Sequence, residues 1–294
     1  MPELPEVETV RRGLEPILVG NAFARVEQRR PDLRFPLPKR FGERLEGRRI
    51  EALDRRAKYL LARLDDGEVL VMHLGMTGRF AIDKANGTAA APGRFAHPQK
   101  AVPKHEHIVF HLGDGSAIRY SDVRRFGIMD LVPAATLESH ALFKGLGVEP
   151  LGDDLTSEWL AGRLKGKATS IKAALLDQRL IAGLGNIYAC EALYRARISP
   201  LKLAGTLTTK SGKPTKKTEA LVEGIKTVLQ SAIKAGGSSL RDYRHTDGRL
   251  GRFQHRFKVY GRAGKPCTRT GCGGIIRRVV QSGRSTFFCP TCQK

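Results

Sequence analysis

Three things are scarce in this chain, and each scarcity narrows the field. No run of about 18 apolar residues occurs anywhere in its 294 residues, so no segment has the length and apolarity of a membrane-spanning helix. The N-terminus is charged from Glu3 onward and lacks the apolar stretch of a secretory signal. The expectation is a cytoplasmic protein with no membrane partner. Acidic residues are also short: 51 Lys+Arg stand against 29 Asp+Glu, a formal net charge of +22. The shortage is uneven. Residues 1–150 hold 24 Lys+Arg and 20 Asp+Glu, a net of +4, whereas residues 151–294 hold 27 and 9, a net of +18. So basic a half suits a polyanionic partner. Nucleic acid is favoured over a membrane surface, because no basic amphipathic segment stands alone with bulky apolar residues opposite. There is no internal repeat, and the length is compatible with two domains and a sizeable core.

Cysteine is the third scarcity. There are five, and four of them fall in the last 28 residues as Cys267-x4-Cys272-x16-Cys289-x2-Cys292. Two close pairs separated by a β-like segment match a four-thiolate zinc site, each short loop bringing two sulfurs to one side of the ion. Two disulfides are the competing arrangement, disfavoured in a chain expected to be cytosolic. With four protein ligands no position is left open for substrate, so the expected zinc is structural. Cys190 sits in an apolar helical stretch and is expected to be a buried thiol.

What is present at the start of the chain matters most. The sequence opens Met1-Pro2-Glu3 and continues PELPEVETVRRGL. Leu4, Val7, Val10, Leu14, Ile17 and Leu18 recur at helical spacing. Pro2 and Pro5 suit the start of that helix, and Glu3, Glu6 and Glu8 complement its N-terminal dipole. A second use is open. If Met1 is removed, as a small penultimate residue usually permits, Pro2 becomes a terminal secondary amine. An α-amine has a pKa near ~8 against ~10.4 for lysine, so far more of it is neutral at pH 7. Such an amine can attack an electrophilic carbon, and its iminium always carries positive charge. Glu3 beside it could supply a proton.

Short β-like runs follow at Gly67–Phe80 and Glu106–Val132, rich in Val, Ile and aromatics with Gly and Asp turns. They read as an antiparallel sandwich or barrel. Asp83–Lys104 between them is Gly-, Pro-, Ala- and Asn-rich without period and reads as an exposed loop. From Thr156, a suitable N-cap, the pattern turns helical. Ser157–Leu164 is a helix. Ser170–Arg195 reads as helix, tight turn and helix, broken by GLGN at 183–186. Lys216–Ala235 is amphipathic and ends at Gly236-Gly237. Residues 238–255 are polar and basic and read as a loop.

Nine segments in order then resemble the bacterial formamidopyrimidine-DNA glycosylases: PELPEVETVRRGL at 2–14, RRAKYLL at 55–61, HLGMTG at 73–78, KHEH at 104–107, SDVRRFG at 121–127, GLGNIYA at 183–189, GGSSLRDY at 236–243, VYGR at 259–262 and GRSTFFCPTC at 283–292. The resemblance implies an α+β fold: an N-terminal β-sandwich with an N-terminal helix over 1–135, a helical domain with a helix–two-turns–helix motif over 136–254, and a four-cysteine zinc-finger hairpin over 255–294. It implies a monomeric enzyme acting on double-stranded DNA that contains damaged bases. Such an enzyme removes oxidised purines, mainly 8-oxoguanine and formamidopyrimidines, and cuts the strand by β- and δ-elimination.

The residue roles are carried over in the same way. Pro2 is the nucleophile and Glu3 the proton donor. Lys58, which spacing alone would leave as a solvated charge at a strand start, becomes a phosphate contact and a proton donor in β-elimination. Arg284 grips phosphate and serves δ-elimination. A glycosylase must extrude its target base from the stack. Met76, Arg124 and Phe126 match the wedge that fills the gap, although without the resemblance Met76 and Phe126 would read as core. Asn186 matches a phosphate contact in a glycine-flanked turn. His73, His105 and Lys167 match further DNA contacts. Glu106 departs from the aspartate of many relatives, and the 83–104 segment is long. The rivals are an endonuclease VIII-like glycosylase for oxidised pyrimidines, which typically opens PEGPE, and a non-catalytic zinc-ribbon DNA-binding protein, which would leave Pro2, Glu3 and Lys58 unexplained.

Overall fold

The computed structural model describes residues 2–85, 103–238 and 252–294. The loops expected at 83–104 and 238–255 fall largely outside them. Two compact units emerge: Met1–Lys144 with Ala235–Arg252, and Gly145–Lys234 with Phe253–Lys294.

In the first unit, α1 spans Leu4–Leu18. Leu4, Val7, Val10, Leu14 and Leu18 are all buried, one apolar stripe at the 3.6 period. Glu3 is the N-cap residue and forms a reciprocal capping box with Glu6, whose Oε2 accepts the Glu3 N–H at 2.9 Å. The strands are β1 (Phe23–Gln28), β2 (Ile50–Arg56), β3 (Tyr59–Leu64), β4 (Glu68–His73), β5 (Arg79–Asp83), β6 (Glu106–Leu112), β7 (Ala117–Ser121) and β8 (Ile128–Pro133), with a short helix α2 (Phe41–Leu45) between β1 and β2. They form two antiparallel four-stranded sheets, ordered β1-β6-β7-β5 and β2-β3-β4-β8.

One core joins the two sheets and the helix. Phe23, Phe80, Phe110 and Ile118 come from the first sheet, Ile50, Leu60, Leu70 and Met129 from the second, and Leu14 and Leu18 from α1. Each such side chain contributes about 1.5–3 kcal/mol by leaving water. This is the sandwich with an N-terminal helix that was expected. The single β-like run at Gly67–Phe80 resolves into β4 and β5, because Gly75 turns the chain with φ +58°.

In the second unit the elements are α3 (Ser157–Leu164), α4 (Ile171–Leu176), α5 (Asn186–Arg195), α6 (Lys216–Lys234), β9 (Arg277–Gln281) and β10 (Arg284–Phe288). Thr156 and Ser170 cap α3 and α4 through their hydroxyls, which accept from Trp159 N and Ala173 N. The break between α4 and α5 is wider than GLGN suggests and covers 177–185. Gln178 braces it: its Nε2 donates to Leu184 O at 2.9 Å and its Oε1 accepts from Gly183 N at 2.9 Å. Cys190 is buried, as expected. Among the described residues no helix is long and apolar enough to cross a membrane.

Candidate active site and nucleic-acid interface

The start of α1 is held by an acid that the sequence offers only as a complement to the helix dipole. Pro2 is buried, and Glu3 is only 4% exposed. Glu6, also buried, divides its carboxylate. One oxygen takes the Glu3 N–H. The other accepts the Ser238 N–H at 2.7 Å and the Ser238 hydroxyl at 2.9 Å. Glu6 thereby links residue 3 to a segment that lies 232 residues beyond Glu6 itself.

Lys58 is buried in the tight β2–β3 turn, where Ala57 takes φ +53°. Its neighbour Tyr59 pairs in register with His73, and their rings lie 4.8 Å apart. His73 is pushed down to about pKa 4, first by burial and then by the charges of Lys58 and Arg34. Its Nδ1 accepts the Gly75 N–H at 3.0 Å, so the ring hydrogen of the neutral form sits on Nε2. His73 is therefore an uncharged donor at neutral pH. His105 ends a short 3-10 turn, and its carbonyl accepts the Asp122 N–H at 3.0 Å.

Two loops of the same unit carry the three residues expected to form a wedge. Met76 is half-buried in the turn after β4, while Arg124 and Phe126 are exposed between β7 and β8. The Phe126 ring is 41% exposed with the Arg124 guanidinium 4.6 Å from its centroid. Phe126 is not a core residue.

Asp122, fully buried, organises these loops. It accepts from the Thr77 hydroxyl, from Tyr120 OH at 3.3 Å and from Gly127 N–H at 2.8 Å. Thr77 Oγ1 in turn accepts the Arg124 N–H at 3.0 Å. The loops touch so closely that a Cβ on Gly75 would lie 2.3 Å from the Phe126 carbonyl carbon, and one on Gly127 would lie 1.8 Å from Tyr120 OH.

In the second unit, α5 is the spine. Asn186 opens it, and Asn186 Nδ2 donates to Ser285 O at 3.0 Å. Glu191, one turn and a half on, is buried and accepts the backbone N–H groups of Lys258, Val259 and Tyr260 at 2.9–3.1 Å. Burial pushes its pKa up against the pull of those amides. Tyr194, in the last turn, places its OH 3.3 Å from Cys267 Sγ. The Arg269 guanidinium lies 4.7 Å from the Tyr194 ring centroid and donates to Tyr194 O at 2.6 Å.

Arg284 is exposed at the start of β10, directly after the Ser282-Gly283 turn, whose residues both take positive φ. Lys167 is exposed in the turn after α3. The four cysteine sulfurs lie within 4.8 Å of one another. The pairs Cys267–Cys292 and Cys272–Cys289 are 3.9 and 3.5 Å apart. A tetrahedron of thiolates at ~2.3 Å from zinc has edges of ~3.8 Å, whereas a disulfide needs ~2.05 Å.

The comparisons with known proteins now decide between the open readings. The family model described as Formamidopyrimidine-DNA glycosylase N-terminal domain matches residues 1–129, that of the Formamidopyrimidine-DNA glycosylase H2TH domain matches 146–244, and the zinc finger found in FPG and IleRS matches 264–294. Formamidopyrimidine-DNA glycosylases of Methylobacterium nodulans and Beijerinckia indica are each 60% identical over 294 residues, covering all of this chain and 99% and 100% of those proteins. This chain belongs to the formamidopyrimidine-DNA glycosylase family. The MutM (FPG) protein from Thermus thermophilus is 41% identical with a TM-score of 0.81, covering 99% of this chain and 98% of that one. A Lactococcus lactis FPG variant in complex with Fapy-dG containing DNA is 35% identical with a TM-score of 0.83, and both chains are covered in full.

A formamidopyrimidine-DNA glycosylase of this kind carries one structural zinc, and the sulfur geometry fits it. The non-catalytic zinc-ribbon reading fails because the match runs through the N-terminal sandwich as well. Missed from the sequence were Asp122, Glu191 and the tie from Glu6 to Ser238. Each acid accepts at least one backbone N–H from elsewhere in the fold, and no side-chain spacing announces such partners.

Proposed function

We propose that this chain excises oxidised purines, 8-oxoguanine and formamidopyrimidines, from duplex DNA and then cleaves the strand. The observation that carries the reading is the buried, capped Pro2-Glu3 start of α1 in a chain that matches the glycosylase family from end to end. The Lactococcus lactis relatives in complex with Fapy-dG and abasic-site DNA support the substrate class.

The proposed chemistry follows from the groups present. With Met1 removed, the Pro2 amine attacks the sugar C1′ as the glycosidic bond breaks, and the departing base takes up a proton that Glu3 supplies. The amine then loses its proton and the C1′–O4′ bond breaks, O4′ taking up a proton, so that the opened sugar is held as an iminium. This acidifies the adjacent C2′–H, and the 3′ phosphate leaves by β-elimination and the 5′ phosphate by δ-elimination. Lys58 is the proton donor of the first elimination. Arg284 serves the second by neutralising the departing phosphate. Hydrolysis then returns Pro2.

Asn186 and the first amides of α5 are proposed to take a phosphate at the positive end of the helix dipole. Lys167, His73 and His105 are proposed as further backbone contacts. Met76, Arg124 and Phe126 fill the stack vacated by the extruded base. The segments 1–135, 136–254 and 255–294 are proposed to carry the chemistry, the helical DNA contacts and the zinc-supported phosphate grip, in a protein that works in the cytoplasm.

Borohydride reduction during reaction on an 8-oxoguanine duplex tests the core of this. The expected adduct joins DNA to a chain lacking Met1, through Pro2. Capture at a lysine, with Pro2→Gly retaining excision and cleavage, overturns the assignment.

A further inference from the structure

A second arginine–phenylalanine pair stands beside the wedge, in a turn that no family motif above includes. Residues 31–37 (PDLRFPL) form a closed turn: the Leu33 N–H donates to Phe35 O at 3.0 Å and the Leu37 N–H to Pro31 O at 2.9 Å. Leu33 and Leu37 are buried anchors in the sandwich core. What they hold outward is Arg34 and Phe35, with the Phe35 ring 51% exposed and the Arg34 guanidinium 5.7 Å from its centroid.

The turn is fastened to the wedge loop. The Arg34 N–H donates to Gly127 O at 3.0 Å, and Arg125 Nη1 lies 3.7 Å from Asp32 Oδ2. Phe35, Val123 and Phe126 are thus exposed large hydrophobic residues on adjoining loops, interleaved with Arg34, Arg124 and Arg125. Among the described residues neither Arg34 nor Arg124 has a carboxylate in ion-pair range; each has a phenyl ring instead. Arg34 also faces the Lys58–His73 side of the unit, since its charge acts on both His73 and Tyr59.

A phenyl ring held in water on an anchored turn, next to an arginine with no acid partner among the described residues, suits a ligand that offers flat apolar faces and negative charge together. Nucleic acid offers both. We propose that the Arg34–Phe35 turn is a second DNA-contacting element, in which Phe35 packs on a base or sugar face of the duplex bordering the wedge and Arg34 pairs with a backbone phosphate. The proposal rests on the reading of Arg124 and Phe126 as a DNA wedge. Burial of Leu33 and Leu37 holds the turn in shape without DNA, so little ordering is needed on binding.

The test uses the full-length protein and a duplex carrying a tetrahydrofuran abasic analogue, with affinity measured across a salt series. Phe35→Ala is expected to weaken binding about tenfold with an unchanged salt slope, because stacking carries no counterion release. Arg34→Ala is expected to weaken binding and flatten the slope by roughly one unit, and Arg34→Lys to restore the slope. Both sites are exposed, so urea midpoints should hold. Should Phe35→Ala lose stability, Phe35→Tyr retaining affinity and Phe35→Leu losing it decides for the ring. Phe126→Ala is measured alongside. Wild-type affinity and slope in the Arg34 and Phe35 variants, with Phe126→Ala impaired, overturns this proposal and leaves the wedge reading intact. Losses at Arg34 and Phe35 with Phe126→Ala unimpaired uphold the turn as a contact and overturn the wedge. DNA affinity unchanged in the variants, with loss of a protein partner instead, also overturns it.

Discussion

Replacing Asp122 by alanine removes one side chain that touches no DNA in any proposed role, yet it should disable the wedge. The carboxylate is fully buried and serves three donors: the Thr77 hydroxyl, Tyr120 OH and the Gly127 N–H. A buried donor left unsatisfied costs about 1–3 kcal/mol, and removing the acid also relieves its own desolvation. The net loss should be about 3–5 kcal/mol, within the ~5–15 kcal/mol of a typical fold. Asp122→Asn is a graded control. One amide oxygen can keep Gly127 and Tyr120, while the amide nitrogen faces Thr77, whose oxygen already accepts from Arg124. That variant should lose about 1–2 kcal/mol. With the loop loosened, the Phe126 ring is no longer presented. Excision of 8-oxoguanine from duplex DNA should slow by tenfold or more in Asp122→Ala, whereas cleavage at a preformed abasic site, which needs no base extrusion, should fall far less. Single-turnover rates on the two substrates, with urea unfolding of each variant, make the measurement. Equal slowing on both substrates, or wild-type stability in Asp122→Ala, refutes the reasoning.

Glu191→Ala should retain zinc but free the Lys258–Tyr260 segment from α5, costing about 2–4 kcal/mol as charge-assisted bonds from three backbone amides are lost; its signature is a rise in β- over δ-elimination product, and an unchanged product ratio counts against the docking role. Cys289→Ser should release zinc and weaken DNA binding while the sandwich stays folded, because structural zinc supplies roughly 10–16 kcal/mol to small domains; one zinc per wild-type chain by metal analysis is the companion result. His73 is depressed to about pKa 4 in the fold, against ~6.5 when free. Its contribution to stability is therefore present above ~6.5 and is lost as pH falls towards 4. His73→Asn should show a shallower decline of the urea midpoint across that window, and, because the ring is uncharged at pH 7, an unchanged salt slope of DNA binding.

Much of this was written plainly in the chain. The stripe from Leu4 to Leu18 gave α1, and the spacing of the four cysteines gave the metal site, since both are local patterns with one geometric solution. Less legible was anything that depends on long-range backbone partners. Nothing near Asp122 says that it will accept the Gly127 N–H while fully buried. Nothing near Glu6 points to Ser238. The width of the 177–185 break was hidden because Gln178, a residue of no special turn propensity, closes it with both ends of its side chain. The exposure of Phe126 was hidden for the opposite reason: an aromatic between two β-like runs reads as core, and neither the close approach of Gly75 to its backbone nor the Asp122 bonds that hold its loop can be read from the residues around it.

The contact between Glu6 and Ser238 also sets an order of events during synthesis. At about 5–20 residues per second, the 232 residues that separate them take roughly 12–46 s to make. For that interval the start of α1 has its capping box but lacks the acceptor contact that completes the Glu6 carboxylate. A ribosome-bound fragment can therefore fold its sandwich early while its first turn stays incompletely anchored. The amine proposed to attack DNA would gain its full setting only after the helices α3–α6 of the basic half have been made, so a chain truncated before residue 238 has its first turn without that anchor.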